Sequence, residues 1–296
     1  MKNYKTIMTI IVVLSCVLIG CKKETIDNGE ITPEVEPKIV SIDTISSYDD
    51  LLLEACFEDE SKMYFRIISP STAEVTNVDG WWGERYHYKG DVIIPSKITY
   101  LGNTFTVASV GYYAFGGCDS LHSVVFPNTI KRIREYAFGY CSGFTGSLVI
   151  PNSVTVIDSV AFYGCTGLTS IVIPKSVARI DFKTFYGCTG LTSVTIPESV
   201  TSIGEEAFMG CTSLTNIVIP ESVTCLGESA FGYCSQLISI TVMATSPPSI
   251  GIYLDLGWPL GYGTTNLERI YVPARSVELY RNADGWSQYG DIIVGM

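Results

Sequence analysis

CTGLTSVTIPESVTSIGEEAFMG, residues 188–210, decides the fold, because the chain writes this phrase again and again. CTGLTSIVIPKSVARIDFKTFYG precedes it at 165–187 and CTSLTNIVIPESVTCLGESAFGY follows at 211–233. CDSLHSVVFPNTIKRIREYAFGY stands earlier, at 118–140, and the copy at 141–164 carries one extra residue. The closing phrase reads AFGGC, AFGYC, AFYGC, TFYGC, AFMGC and AFGYC, with phenylalanines at Phe115, Phe138, Phe162, Phe185, Phe208 and Phe231. Their spacings are 23, 24, 23, 23 and 23. So regular a period, between about 20 and 29 residues, predicts a solenoid in which each repeat buries its apolar face only against its neighbours.

Within each copy the run L-x-x-I-x-I alternates apolar and polar residues and then meets proline. That pattern predicts a short strand, ended where proline has no N–H to give to a ladder. One strand per rung predicts a stacked parallel sheet. The first, fourth and sixth residues of LTSIVIP face inward, and the rest line the outer surface of the sheet. One outward column holds Ser123, Ser170, Ser193, Asn216 and Ser239; the next holds Val125, Val149, Val172, Thr195, Val218 and Thr241. The surface is small, uncharged and mildly apolar. It is either an extended concave binding face for a protein or glycan or plain sheet surface rich in β-branched strand formers.

The IP step and the AFxxC phrase resemble the 23-residue leucine-rich repeats of BspA-like bacterial surface proteins. The flanks match more loosely: VIIP at 92–95 and YLGNTFTVASV at 100–110 look like an opening repeat. LERIYVP at 267–273 and SVELYRNADGWSQYGDIIVG at 276–295 look like a closing one. The resemblance spans roughly residues 64–296. It implies a leucine-rich repeat solenoid of stacked parallel strands with short or helical turns, a β-rich N-terminal cap and a helix/strand closing element. It also implies adhesion to host matrix proteins or to other bacteria.

Lys2 and Lys5 precede an apolar run from Thr6 to Leu18, and Leu18-Ile19-Gly20-Cys21 follows. The run is short for a transmembrane helix, which needs about 20 apolar residues, and its order is that of a secretory signal ending in a lipobox. Similarity to bacterial lipoproteins implies that Cys21 is the lipidated first residue, which anchors the chain at the cell envelope, on the outer membrane; exposure at the surface is an expectation from Lys22-Lys23-Glu24, which resembles the charged tag of surface-directed lipoproteins. Residues 1–20 are therefore read as signal peptide and 21–37, polar and rich in acid, as an extended tether. Residues 38–90 are read as the β-rich cap, 91–243 as the solenoid, and 244–296 as an interrupted last repeat with a C-terminal cap.

Without residues 1–20, 17 basic residues face 30 acidic ones, a net charge near −13. So acidic a surface repels phosphate backbones and argues against a nucleic-acid partner. No HExxH, GxSxG, P-loop or dinucleotide fingerprint is present, and His87 and His122 are the only histidines. The chain is read as non-enzymatic, without cofactor or metal.

The cysteines at 118, 141, 165, 188, 211 and 234 share one rung position, which stacking would separate by about 4.8 Å. Disulfides span Cα distances of about 4.4–6.8 Å, so spacing alone allows them. Parallel side chains pointing into a core are badly aimed for pairing, which favours a column of buried thiols. A row with a 23-residue period does not converge as zinc ligands must. Aromatic residues break the repeat at Trp81, Trp82, Tyr86, His87 and Tyr88, read as cap packing, and at Tyr253, Trp258 and Tyr262. The latter three interrupt the last repeat and make a candidate glycan or protein contact.

Overall fold

A computed structural model describes residues 36–46, 51–77, 88–251, 260 and 263–296. In a typical repeat Leu168, Ile171 and Ile173 are buried, Ser170 is half-buried and Val172 is exposed, the period-2 alternation of a strand with one face on a core. Proline then ends the strand and its carbonyl closes a tight turn. Pro174 O accepts from Val177 N at 3.0 Å, and Pro127, Pro151, Pro197 and Pro220 do the same three residues ahead of a buried Ile or Val. A two-residue strand follows, and the AFxxC turn brings the chain back to its start. Each repeat is thus a three-sided loop.

Four N-terminal strands come first: β1 (Ile39–Ser46), β2 (Leu51–Phe57), β3 (Lys62–Ser69) and β4 (Thr72–Thr76). Next are β5 (Gly90–Ile93), β6 (Lys97–Tyr100) and β7 (Asn103–Val110). Long and short strands then alternate as β8 (Leu121–Val125), β9 (Arg132–Ile133), β10 (Gly146–Val149), β11 (Val156–Ile157), β12 (Leu168–Val172) and β13 (Arg179–Ile180). The pattern continues with β14 (Ser193–Thr195), β15 (Ser202–Ile203), β16 (Asn216–Ile219), β17 (Cys225–Leu226), β18 (Ser239–Val242), β19 (Ser249–Ile250) and β20 (Arg269–Val272). A helix, α1 (Val277–Arg281), and β21 (Ile293–Gly295) close the chain.

Long strands pair in parallel with the same residue one repeat on: Ser170 with Ser193, Asn216 with Ser239, Ser239 with Arg269. The long-strand ladder is interrupted between β14 and β16. Short strands pair likewise, Ile180 with Ile203 and Ile203 with Leu226. In the 141–164 copy the ladder slips at Gly146, where φ is +85°: Gly146 pairs with Leu168 and Ser147 with Ser170. Phe144 is buried there, in the place that leucine holds elsewhere.

The third side is a ladder of turns. Phe115, Phe138, Phe162, Phe185 and Phe208 donate their N–H to a carbonyl of the next repeat at 2.8–3.0 Å. Their rings stack nearly parallel at 5.0, 5.2, 5.5, 5.3 and 5.7 Å, counting the last pair with Phe231, and all six are fully buried. Phe231 N bonds instead to the carbonyl of Leu260, which is buried and takes alanine's place in the interrupted repeat. Beside the rings runs the cysteine column. The thiols of Cys141, Cys165, Cys188, Cys211 and Cys234 each donate to the phenylalanine carbonyl of the repeat before, at 2.9–3.3 Å.

At the N-terminus β1 to β4 form an antiparallel meander, and β4 pairs in parallel with β7, so its sheet runs on into the short-strand side through β9 and β11. Glu74 sits at this junction, almost wholly buried. It pairs with Arg66 at 3.3 Å and Arg134 at 3.2 Å and accepts from Ser109 Oγ at 3.3 Å. Two partners on two sides answer the cost of burying a carboxylate. Tyr88 packs 4.6 Å from Phe115, donates to Thr76 O and accepts from Tyr64 N, both at 3.1 Å. At the other end Trp286, Tyr280 and Tyr289 cover the last rung, with Trp286 Nε1 donating to Pro248 O and the Tyr280 hydroxyl to Ala244 O, both at 2.8 Å.

Candidate binding surfaces

The parallel register sets Ser170 beside Ser193 and Val172 beside Thr195, and, past the break between β14 and β16, Asn216 beside Ser239 and Val218 beside Thr241. Val172 and Val218 are about half exposed, so this face is open, shallow and uncharged across four repeats; Arg269 and Tyr271 extend it. Cys21, Tyr253, Trp258 and Tyr262 lie outside the described residues, as do Trp81, Trp82, Tyr86 and His87.

A second surface lies on the turn side. The residue two before the phenylalanine takes a left-handed conformation in every copy: Tyr113, Tyr136, Val160, Lys183, Glu206 and Ser229, at φ between +52° and +56°. The residue just before cysteine is left-handed too. It is glycine at 117, 164, 187 and 210, as the steric cost to a Cβ at positive φ demands, but tyrosine at Tyr140 (φ +62°) and Tyr233 (φ +54°). Those two rings are 51% and 47% exposed, so burial does not offset the strain.

The tyrosines join into a ridge. Tyr113 stacks on Tyr136 at 4.9 Å, Tyr136 meets Tyr163 at 6.0 Å, and Tyr163 stacks on Tyr186 at 4.7 Å. Tyr140 flanks Tyr163 at 5.2 Å and Tyr112 flanks Tyr136 at 6.4 Å. Continuity survives a change of column. In the first two copies the ring springs from the left-handed residue and folds over Gly116 or Gly139, where a Cβ would lie 2.1 Å or 2.8 Å from it. In the next two it springs from the residue after phenylalanine. Lys183 adds its ammonium 4.7 Å from the Phe182 ring centroid and pairs with Glu206 at 3.3 Å.

Partial burial, then neighbouring Tyr136 and Glu135, raise the Tyr112 phenol above its ordinary range; burial, then Tyr140 and Tyr186, raise Tyr163. Tyr113 with Tyr136 and Tyr163 with Tyr186 stack face to face, while Tyr140 packs tilted against Tyr163 and Tyr112 edge-on against Tyr136. The signal was in the sequence, in the two variable letters of AFxxC for Tyr140, Tyr163 and Tyr186 and in the letters just ahead of AF for Tyr112, Tyr113 and Tyr136. It was passed over because the phrase reads as core, and only the turn conformation shows which letters are exposed.

A family model for the BspA type leucine rich repeat region matches six copies, over residues 95–168 and 131–252. The chain belongs to this family. No curated protein matches it. Among solved structures it is similar to the leucine-rich repeat protein of T. pallidum, with 22% identity over 80% of this chain and 90% of that one and a TM-score of 0.41. A leucine-rich repeat protein from Bacteroides ovatus has 20% identity over 79% and 98%, with a TM-score of 0.28. The pneumococcal vaccine antigen PcpA has 12% identity over 88% and 99%, with a TM-score of 0.34. Among the described residues this BspA-type chain is rich in strands and poor in helix. Among the described residues no helix is long and apolar enough to cross a membrane, and no three His, Cys, Asp or Glu side chains gather as a metal site.

Proposed function

We propose that this BspA-type chain is a non-enzymatic, lipid-anchored envelope protein whose repeats form a solenoid and bind another protein, a host matrix component or a bacterial surface protein, through the tyrosine ridge. The observation that carries the reading is the placement of Tyr140, at the flank of the ridge, and of Tyr233, which holds the same turn position four copies on. Two exposed aromatic side chains hold a backbone conformation that glycine holds in four other copies, a strain of about 1–2 kcal/mol each with no gain for the core. Such residues are kept for what they touch. Tyrosine is also the side chain, with tryptophan and arginine, in which interface energy concentrates.

The test is binding of the mature protein to a panel of matrix proteins, to bacterial cells and to a glycan array. Tyr140→Gly together with Tyr233→Gly is expected to weaken protein binding about tenfold or more while leaving Tm unchanged or raised, because strain is relieved. Binding that survives this pair but is lost in Val172→Arg with Val218→Arg moves the site to the strand face, with Ser170, Ser193, Thr195, Asn216, Ser239 and Thr241. Loss with Trp258→Ala, and a hit on the glycan array, favours the glycan reading through Tyr253, Trp258 and Tyr262.

The anchor is tested separately. Cells grown on labelled fatty acid are expected to label the wild-type chain in the membrane fraction, and Cys21→Ala is expected to remove both label and membrane retention. Label persisting in that variant rules out Cys21 as the anchor.

A further inference from the structure

We propose that β1 and β6 frame a slot that takes an extended segment of a partner polypeptide as an added strand. The N-terminal sheet runs β1-β2-β3-β4-β7 with β6 on the far side of β7. Following the strand directions through these pairings, antiparallel except for β4 with β7, leaves β1 and β6 pointing the same way. The sheet curls until these two edges face each other. At one end the Glu36 carboxylate accepts from Ser96 N–H at 2.9 Å, and at the other the hydroxyls of Thr44 and Tyr100 bond to each other. Between these ties no backbone ladder joins the edges among the described residues, and a cavity of 490 Å³ opens there, lined by Ile39, Val40, Ile42, Ser96, Lys97 and Thr99.

The chemistry of the slot is that of backbone. Ser96 O already accepts from Val107 N at 2.9 Å, and antiparallel bonding alternates along a strand, so the N–H and C=O groups of Lys97 and Thr99 point away from β7 into the slot. Across from them β1 presents an eight-residue edge that follows Pro37 and Lys38, slips register against β2 between Ile39 and Ser41 and leaves Val40 64% exposed. Beyond that slip Ser41 to Ser46 run in regular register with β2, and an open edge of this kind recruits another strand. Ile39 and Ile42 pack against the core beside buried Ile98, while Lys97 and Thr99 stand exposed on the rim. The fitting partner is therefore an extended segment with apolar residues at alternate positions facing inward and polar ones facing out, held by main-chain hydrogen bonds.

The probe is a fluorescent nine-residue peptide of alternating threonine and valine with a lysine at each end, titrated into the full chain and read by anisotropy. Saturable binding is expected with Kd of about 1–100 μM. Thr99→Pro removes one slot-facing N–H at a strand edge, where proline is tolerated, and is expected to raise Kd about tenfold. Peptide is expected to slow hydrogen exchange at the amides of Lys97 and Thr99, a readout that stands even where the proline variant folds poorly. No saturable binding, an unchanged Kd in a folded Thr99→Pro, or unprotected amides overturns the proposal. So does loss of peptide binding in the Tyr140→Gly, Tyr233→Gly protein, which places the peptide on the ridge; the slot and ridge readings thus fail separately.

Discussion

Phe162→Ala is expected to lower stability by about 3–5 kcal/mol, the range for deleting a large aromatic from a core that cannot collapse around the gap. Phe162 lies between Phe138 at 5.2 Å and Phe185 at 5.5 Å, and its neighbours are held to that spacing by the turn ladder. The N–H of residue 162 bonds to Thr184 O, so the backbone on either side resists moving in to fill the void. Repeats touch only their neighbours, so a defect in the middle weakens the coupling between the two halves. Urea unfolding read by circular dichroism is expected to show a lower midpoint and a broadened or two-step transition. A loss below about 1 kcal/mol would show that the stack tolerates a missing ring and that the phenylalanine column is not the fold's main support.

Alkaline pH is expected to unfold the protein from about pH 9 upward. Burial pushes the Cys234 thiol up to about 12 from 9.0, and burial, with neighbouring cysteines adding, pushes Cys141, Cys165 and Cys211 well above their ordinary value. Burial likewise raises Tyr289 to about 12 from 10.0, and Tyr280 further. Below pH 9 folded and unfolded chains both keep the thiol protons, and the column's contribution is fully present. Above it the unfolded chain releases protons that the folded chain retains, so stability falls, roughly tenfold in the folding equilibrium per thiol per pH unit, until pH reaches the folded values. Tm followed from pH 7 to 11 in reductant is expected to drop steeply above pH 9, and Cys165→Ala with Cys211→Ala is expected to flatten the drop. A flat profile in the wild type would mean the thiols are not shielded from water.

Much of this was legible before any coordinates. A 23-residue period forces every copy of Leu, Ile, Phe and Cys into the same place on successive rungs, so burial of one implies burial of all. The strand face was legible for the same reason, because a period of two sends alternate residues outward. The tyrosine ridge was not. Tyr136 and Tyr163 occupy different letters of the repeat, and no column of the sequence contains both. They become neighbours only because the turn is left-handed at two points, letting a ring from either letter reach the same line in space.

The slot was hidden for a related reason. Residues 36–44 and 96–100 carry ordinary strand patterns and stand some 60 positions apart; nothing local says that the sheet between them curls. Periodicity by itself determined the repeat, its core and its parallel stacking, since each follows from hydrophobic burial at a fixed spacing. Which exposed side chains run together, which edge stays open, and which residues bear strain were decided by the tertiary structure, because turn dihedrals and sheet curvature arise from the whole stack and are written in no single repeat.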